Sequence, residues 1–168
     1  EMCIRDRWDP TKSKVAAALL RTSSEPSSIL PDPGSTCLYL GASSGGTVSH
    51  IHDFVCGAEN HHGGQVVAVE ISPRMSRGLI SLSESRPGMV PILGDARKSL
   101  VVAPFIRSKA DWIHQDLSIA DQAENFIKMA MTFLIPGGVG LLSLKAASER
   151  SSEGDDNARF HNAEILLK

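Results

Sequence analysis

Cysteine is scarce in this chain, and the three it has, Cys3, Cys37 and Cys56, are widely spaced with no CxxC pair. An odd, scattered set fits neither a disulfide framework nor a zinc site, and it points to a reducing, intracellular compartment. Long apolar runs are also missing. Gly, Pro or a charged residue interrupts each one well before the roughly 18 residues that a membrane-spanning helix needs. Behind Arg5 and Arg7 there is no apolar run and no small-residue cleavage site, so a secretory signal is not expected. Neither sign of charge dominates. Seventeen Lys and Arg against 19 Asp and Glu leave a formal net charge of -2, without the basic field of a stand-alone nucleic-acid binder. Internal repeats and low-complexity tracts are absent as well.

What is present suits one globular domain: 168 residues, 42% hydrophobic and 21% charged. Residues 1–7, EMCIRDR, have no periodicity and read as a foreign N-terminal scar, which leaves 8–168 as the domain. Apolar residues on one face predict a helix over 11–20, and the Pro- and Gly-rich stretch 23–35 reads as a linker. Beyond it, short apolar runs alternate with helical patterns, the signature of βαβ units and a mostly parallel sheet. Strands are predicted at 37–40, 65–70, 89–93, 111–115 and 139–145, the last apolar on both faces as in a strand covered on both sides and paired at both edges. Helices are predicted at 47–55, 73–85, 121–134 and 157–168, with Pro136-Gly137-Gly138 stopping the third.

The most informative segment is LYLGASSGGT, residues 38–47, a buried strand running into a Gly/Ser-rich turn that opens a helix. Such a turn lets a ligand approach the backbone and offers it free N–H groups, although a plain strand-to-helix turn would look the same. The pattern is neither GxGxxG, because the third glycine is displaced, nor GxxxxGK[ST], because no Lys follows Gly46. Glu70 ends the second strand, where a carboxylate can accept hydrogen bonds from both hydroxyls of a ribose, and Asp95 follows the third. Three ligand-competent strand ends in consecutive units point to a nucleoside cofactor. A nicotinamide cofactor of an oxidoreductase is the second possibility, and the displaced glycine counts against it. Asp116 lies just past the fourth strand and Lys145 ends the fifth, a pair able to handle a proton. His50 and His52 point to different faces of one helix, and His61-His62 sit in a turn, so no metal is expected. Arg74, Arg77, Arg86, Arg97 and Lys98 read as dispersed surface charge rather than as a phosphate-contacting face.

The segments WDPTKSKVAAALL, CLYLGASSGGTVSHIHDFV, VVAVEISPRMSRGLI, VPILGDARK, WIHQDLSIADQ and GGVGLLSLKA occur in an order that resembles the fibrillarin family of RNA ribose 2'-O-methyltransferases. The resemblance runs from Trp8 to about Lys168 and is closest to archaeal members. It implies a Rossmann-like class I S-adenosylmethionine-dependent methyltransferase fold, cytoplasmic in an archaeon and nucleolar in a eukaryote. It implies that Gly41, Ala42, Gly46 and Thr47 line the methionine part of the cofactor and that Glu70, with Ile71 beside it, binds the ribose. Asp95 and Ala96 would flank the adenine, and Asp116, Leu117, Ser118, Ile119 and Gln122 would close the site. Lys14, Asp116 and Lys145 match three members of the family's Lys-Asp-Lys-His catalytic set. Gly46 stands where the family has Thr, and Ile119-Ala120 where it has Gln-Pro. In the family the histidine follows later strands, so the chain is expected to be part of a longer protein, incomplete for catalysis by itself. The implied partners are a box C/D guide RNA with its rRNA or tRNA target, a Nop-type scaffold protein and a kink-turn-binding protein. A retained cofactor-binding module without catalysis is the remaining alternative.

Overall fold

A computed structural model describes residues 7–149 and 154–168; Cys3 and all but Arg7 of the segment expected to be foreign lie outside them. The first helix, α1 (Lys14–Arg21), begins later than its apolar pattern because Ser13 caps it, the hydroxyl accepting from the Ala16 amide. Five parallel strands follow, β1 (Thr36–Leu40), β2 (Gln65–Glu70), β3 (Met89–Leu93), β4 (Ala110–Gln115) and β5 (Leu134–Leu142), in the sheet order β3-β2-β1-β4-β5. The connecting helices are α2 (Gly46–Val55), α3 (Pro73–Ser83), α4 (Ser99–Val102) and α5 (Gln122–Phe133), and α6 (Asp156–Leu167) comes last. The four-residue α4 and two 3₁₀ turns at Pro26–Ser28 and Ala58–Asn60 are too short to leave a periodic signal.

Alternation along the central strands divides the core in two. Cys37, Tyr39, Val66, Ala68 and Trp112 pack with Val15 of α1, Val48, Ile51 and Val55 of α2 and Leu79 of α3. Leu38, Leu40, Val67, Val69 and Ile113 face the other way, onto Val102 of α4 and Phe126, Met129 and Phe133 of α5. Helices therefore cover both faces of the sheet, the doubly wound architecture expected of near-continuous apolar strands. Trp112 is fully buried and satisfies its one polar atom by donating Nε1–H to the Ile29 carbonyl at 2.7 Å.

The fifth strand corrects the sequence reading. It starts at Leu134, directly where α5 ends, and stops at Leu142, so Lys145 lies three residues beyond it. Pro136, Gly137 and Gly138 do not stop the helix; they lie inside β5, where the pairing jumps from Ala110 with Leu134 to Trp112 with Val139. Proline lacks a ladder donor and Gly137 takes φ +82, which together make an irregular, bulged stretch rather than a helix cap. Among the described residues β5 is an edge strand: it ends the sheet order, pairs with β4, and every residue in it is at least partly accessible. The free thiols Cys37 and Cys56 are buried, and burial pushes both up, Cys56 to about 11. No helix among the described residues is long and apolar enough to cross a membrane.

Leu38 is completely buried in the central strand. Leu38→Ala should therefore lower unfolding free energy by about 2 to 5 kcal/mol in a urea titration. A loss below 1 kcal/mol would show that this core collapses around the gap.

Candidate functional site

The strand order reverses between β1 and β4: from β1 the chain winds outward through β2 and β3, then crosses back to β4 and on to β5. Loops leaving the two central strands consequently diverge, and a crevice opens above their carboxyl ends. There the structure has a cavity of about 830 Å³, within the range of small-molecule sites. Its walls come from the turn after β1, the ends of β2 and β3, the segment after β4, and Lys145.

The turn after β1 is shaped by backbone constraints. Gly41 has φ +89, and a Cβ there would collide with the carbonyl oxygen of Asp116, so only glycine lets the β1 and β4 ends come this close. Gly45 caps α2 in the left-handed region, whereas an added Cβ on Gly46 would meet no atom within 4 Å. Glu70 holds the turn from the neighbouring strand. Its Oε2 accepts the Ser43 amide at 2.7 Å and its Oε1 the Ser72 amide at 2.8 Å, and Ser43 itself sits at φ 52. Two further lone-pair directions on that carboxylate stay available. Next to it Ile71 is 61% exposed, an apolar surface at the cavity wall. Asp95 is bound by Arg97 through Nε and Nη2, at 2.9 and 2.8 Å, and this guanidinium holds its carboxyl down at about 2.

Across the cavity, Asp116 is bracketed by two lysines. Lys14 Nζ lies 2.5 Å from Oδ1 and Lys145 Nζ lies 2.9 Å from the same oxygen, while Lys145 Nζ also reaches Ser118 Oγ at 2.9 Å. Burial would raise the Asp116 carboxyl; the hydrogen bonds from Lys14 and Lys145 outweigh burial and set it below its ordinary value. Sequence separations of 102 and 29 residues are thus closed onto one carboxylate, with the cationic charge in excess.

Of the residues singled out from sequence, Gly41, Ala42, Gly46, Thr47, Glu70, Ile71, Asp95, Ala96, Asp116, Leu117, Ser118, Ile119 and Lys145 line this cavity. Lys14 joins them through Asp116. Gln122 does not line it. Gln122 is fully buried, accepting the Lys145 amide at 2.9 Å and donating Nε2–H to the Lys145 carbonyl at 3.0 Å. Its own amide bonds Glu149, and Gln115 donates to its carbonyl, so Gln122 fixes the backbone that carries Lys145. Sequence reasoning passed over Lys12, Tyr39, Ser43, Ser44 and Val69, which also line the cavity, and read Arg97, another lining residue, as dispersed surface charge. The two serines stand inside the glycine-rich turn and were within reach of that motif; Lys12 arrives only because α1 folds across the sheet. Also missed was His114, 1% exposed, edge-on to the Tyr39 ring at 4.5 Å and with Nε2 2.9 Å from Ser143 Oγ. Burial lowers it to about 4, so it stands neutral beneath the two lysines. Arg97 and Arg86 are committed to Asp95 and Asp53, and they form no shared phosphate-contacting face.

A carboxylate set below its ordinary value contributes stability above its unfolded pKa of roughly 3.9 and loses it as pH falls through the folded value. The stability gap between the wild-type chain and Asp116→Asn should thus be constant from pH 5 to 7 and shrink below about pH 4. Paired denaturation curves at stepped pH check this; a gap that widens in acid would mean the carboxylate is not the stabilised form.

The family model described as fibrillarin matches residues 5–168. A fibrillarin-like rRNA/tRNA 2'-O-methyltransferase from Thermococcus sibiricus is 40% identical over 84% of this chain, which spans 58% of that relative's length. The fibrillarin of Aeropyrum pernix, solved with natively bound S-adenosyl-L-methionine, superposes with TM-score 0.77 and 30% identity, covering 95% of this chain and 65% of that one. A fibrillarin/Nop5p complex gives TM-score 0.80 and 31% identity, covering 96% and 72%. A family match over nearly the whole chain, together with that identity to a curated relative, establishes that the chain belongs to the fibrillarin family.

Proposed function

We propose that this chain is the catalytic domain, in part, of an S-adenosylmethionine-dependent RNA ribose 2'-O-methyltransferase. The observation that carries the reading is the pairing of a nucleoside-sized cavity, with Glu70 at one end, and the lysine-bracketed Asp116 at the other. The family members solved with S-adenosyl-L-methionine and with Nop5p support it. The residues present fit the cofactor. Glu70 keeps acceptor capacity for ribose hydroxyls, and Ile71 offers an apolar surface to a base. Gly41, Ala42 and Thr47 hold the methionine end, and Asp95 with Ala96 flanks the adenine. Leu117, Ser118 and Ile119 cover the site from the β4 side.

When bound, the cofactor supplies an electrophilic methyl group on a sulfonium. The protein's part is to place a ribose 2'-hydroxyl in line with it and to lower the cost of the alkoxide that develops. Asp116, kept ionised by its two lysines, orients the hydroxyl and steers its proton, with Lys145 beside it. Lys14 adds the second positive charge. Gln122 keeps Lys145 in register by bonding both sides of its peptide. The chain's mild acidity fits a division of labour in which a Nop-type scaffold, a box C/D guide RNA and a kink-turn-binding protein present the rRNA or tRNA target.

Glu70→Ala should weaken S-adenosylmethionine binding by about 2 to 4 kcal/mol, roughly 30- to 1,000-fold in Kd, through loss of two charge-assisted hydrogen bonds. Isothermal calorimetry reads this directly, and an unchanged Kd removes Glu70 from the cofactor site. In the full-length protein assembled with its RNA and protein partners, Lys145→Ala should cut methyl incorporation about a hundredfold while cofactor affinity stays within a few fold. Turnover near wild type would leave Lys145 a purely structural residue.

A further inference from the structure

A second cleft of about 690 Å³ opens beside the first, lined by residues 7–10, 12 and 13, by Gly46 and Thr47, and by His50. The two share Lys12, Gly46 and Thr47, so they meet at the start of α2, beside the end of the cofactor cavity assigned to the methyl-donating group. The dividing wall is tied down: Thr47 Oγ1 donates to Ser13 Oγ at 3.1 Å, and Ser13 in turn caps α1.

Three features of this cleft are unlike an ordinary surface groove. Trp8 stacks on His50, with ring centroids 5.2 Å apart and planes 17° from parallel, and both rings line the cleft. The Trp8 Nε1–H is buried without an acceptor among the described residues, an unmet donor in the cleft wall. Lys12 sets a cation at the lip of the cleft: its side chain is 85% exposed, and the nearest Asp9 oxygen is 3.9 Å away. Asp9 is already engaged by the amide and hydroxyl of Thr11, at 2.9 and 2.7 Å. With Lys14, Lys145 and Asp116 next door, three cations face two carboxylates along this junction in a chain of formal net charge -2. Stacked rings beside cations are the elements that hold single-stranded nucleic acid: the bases pack on the rings and the backbone follows the charge.

We infer that this second cleft is a nucleotide subsite, seating the RNA residue next to the methyl acceptor with its base against the Trp8–His50 stack and its phosphate on Lys12. The identity of the strand rests on the methyltransferase reading; the cleft's chemistry, an aromatic shelf with a cationic lip, does not. With the cofactor in the first cleft and this nucleotide in the second, the shared wall places the 2'-hydroxyl of the adjacent residue beside Asp116.

The test uses the full 168-residue chain and a labelled six-nucleotide oligouridylate at low salt, read by fluorescence anisotropy. Saturable binding is expected, with quenching of tryptophan emission that reports Trp8, since the other tryptophan, Trp112, is fully buried. Trp8→Ala should reduce affinity about tenfold or more. Lys12→Gln, at a side chain too exposed to disturb folding, should weaken binding and flatten the slope of log K against log salt by about 0.7. Affinity unchanged in both variants overturns the assignment, as does an oligoglutamate peptide that displaces the RNA as well as unlabelled RNA does. Calorimetry with S-adenosylmethionine on the same samples separates the two readings. Trp8-dependent RNA binding without cofactor binding supports the cleft and overturns the methyltransferase proposal; cofactor binding without Trp8-dependent RNA binding overturns the cleft alone.

Discussion

The close approach of the β1 and β4 ends is the constraint on which the rest of the site depends. It exists because Gly41 carries no Cβ and takes φ +89, so the peptide of Asp116 can lie against it. Each side of that contact then fixes one half of the crevice. On the β1 side the turn runs through Ser43, pinned by Glu70, into the glycine cap of α2. On the β4 side Asp116 is presented to Lys14 and Lys145. A side chain at position 41 would force the two strand ends apart and disturb both halves together.

The acidic group at the centre is stabilised by partners that are themselves held from below. Gln122, Gln115 and Asn125 form a buried amide network in which Asn125 donates to Gln115 and Gln115 to Gln122. Gln122 bonds both the amide and the carbonyl of Lys145, a bidentate grip on a residue that lies outside any regular element. Such groups are costly to bury unless satisfied, and here their bonding capacity is spent on holding an irregular segment in place. The neutral His114 adds a further contact to Ser143 just upstream. Precision at Lys145 therefore comes from side-chain amides rather than from a strand ladder.

Local charge and overall charge point in opposite directions. The chain is mildly acidic, yet Lys12, Lys14 and Lys145 gather around Asp9 and Asp116. Exposed pairs such as Lys12 with Asp9 contribute little to stability, so their placement matters chiefly for what approaches the crevice. The partly buried Asp116 cluster is different in kind, because desolvation strengthens each of its contacts.

Much of the fold was legible because its determinants are local. Apolar runs with turn residues between them marked the first four strands to within a residue, and the Gly/Ser turn, Glu70, Asp95 and Asp116 fell at strand ends where a parallel sheet gathers ligand chemistry. The fifth strand was misplaced because Pro136, Gly137 and Gly138 carry the same local signal whether they end a helix or bulge a strand, and pairing with β4 decides between the two. The family resemblance assigned Gln122 to the cavity, but the rotation of α5 turns it inward onto Lys145. The sequence alone determined the order of elements and which residue types stand at the strand ends, since these follow from periodicity and backbone preference over a few residues. Only the tertiary structure decided that Lys14 and Lys145 share one oxygen of Asp116, that His114 lies neutral beneath them, and that Trp8 stacks on His50, because each of these contacts joins segments whose separation in the chain carries no trace of their distance in space.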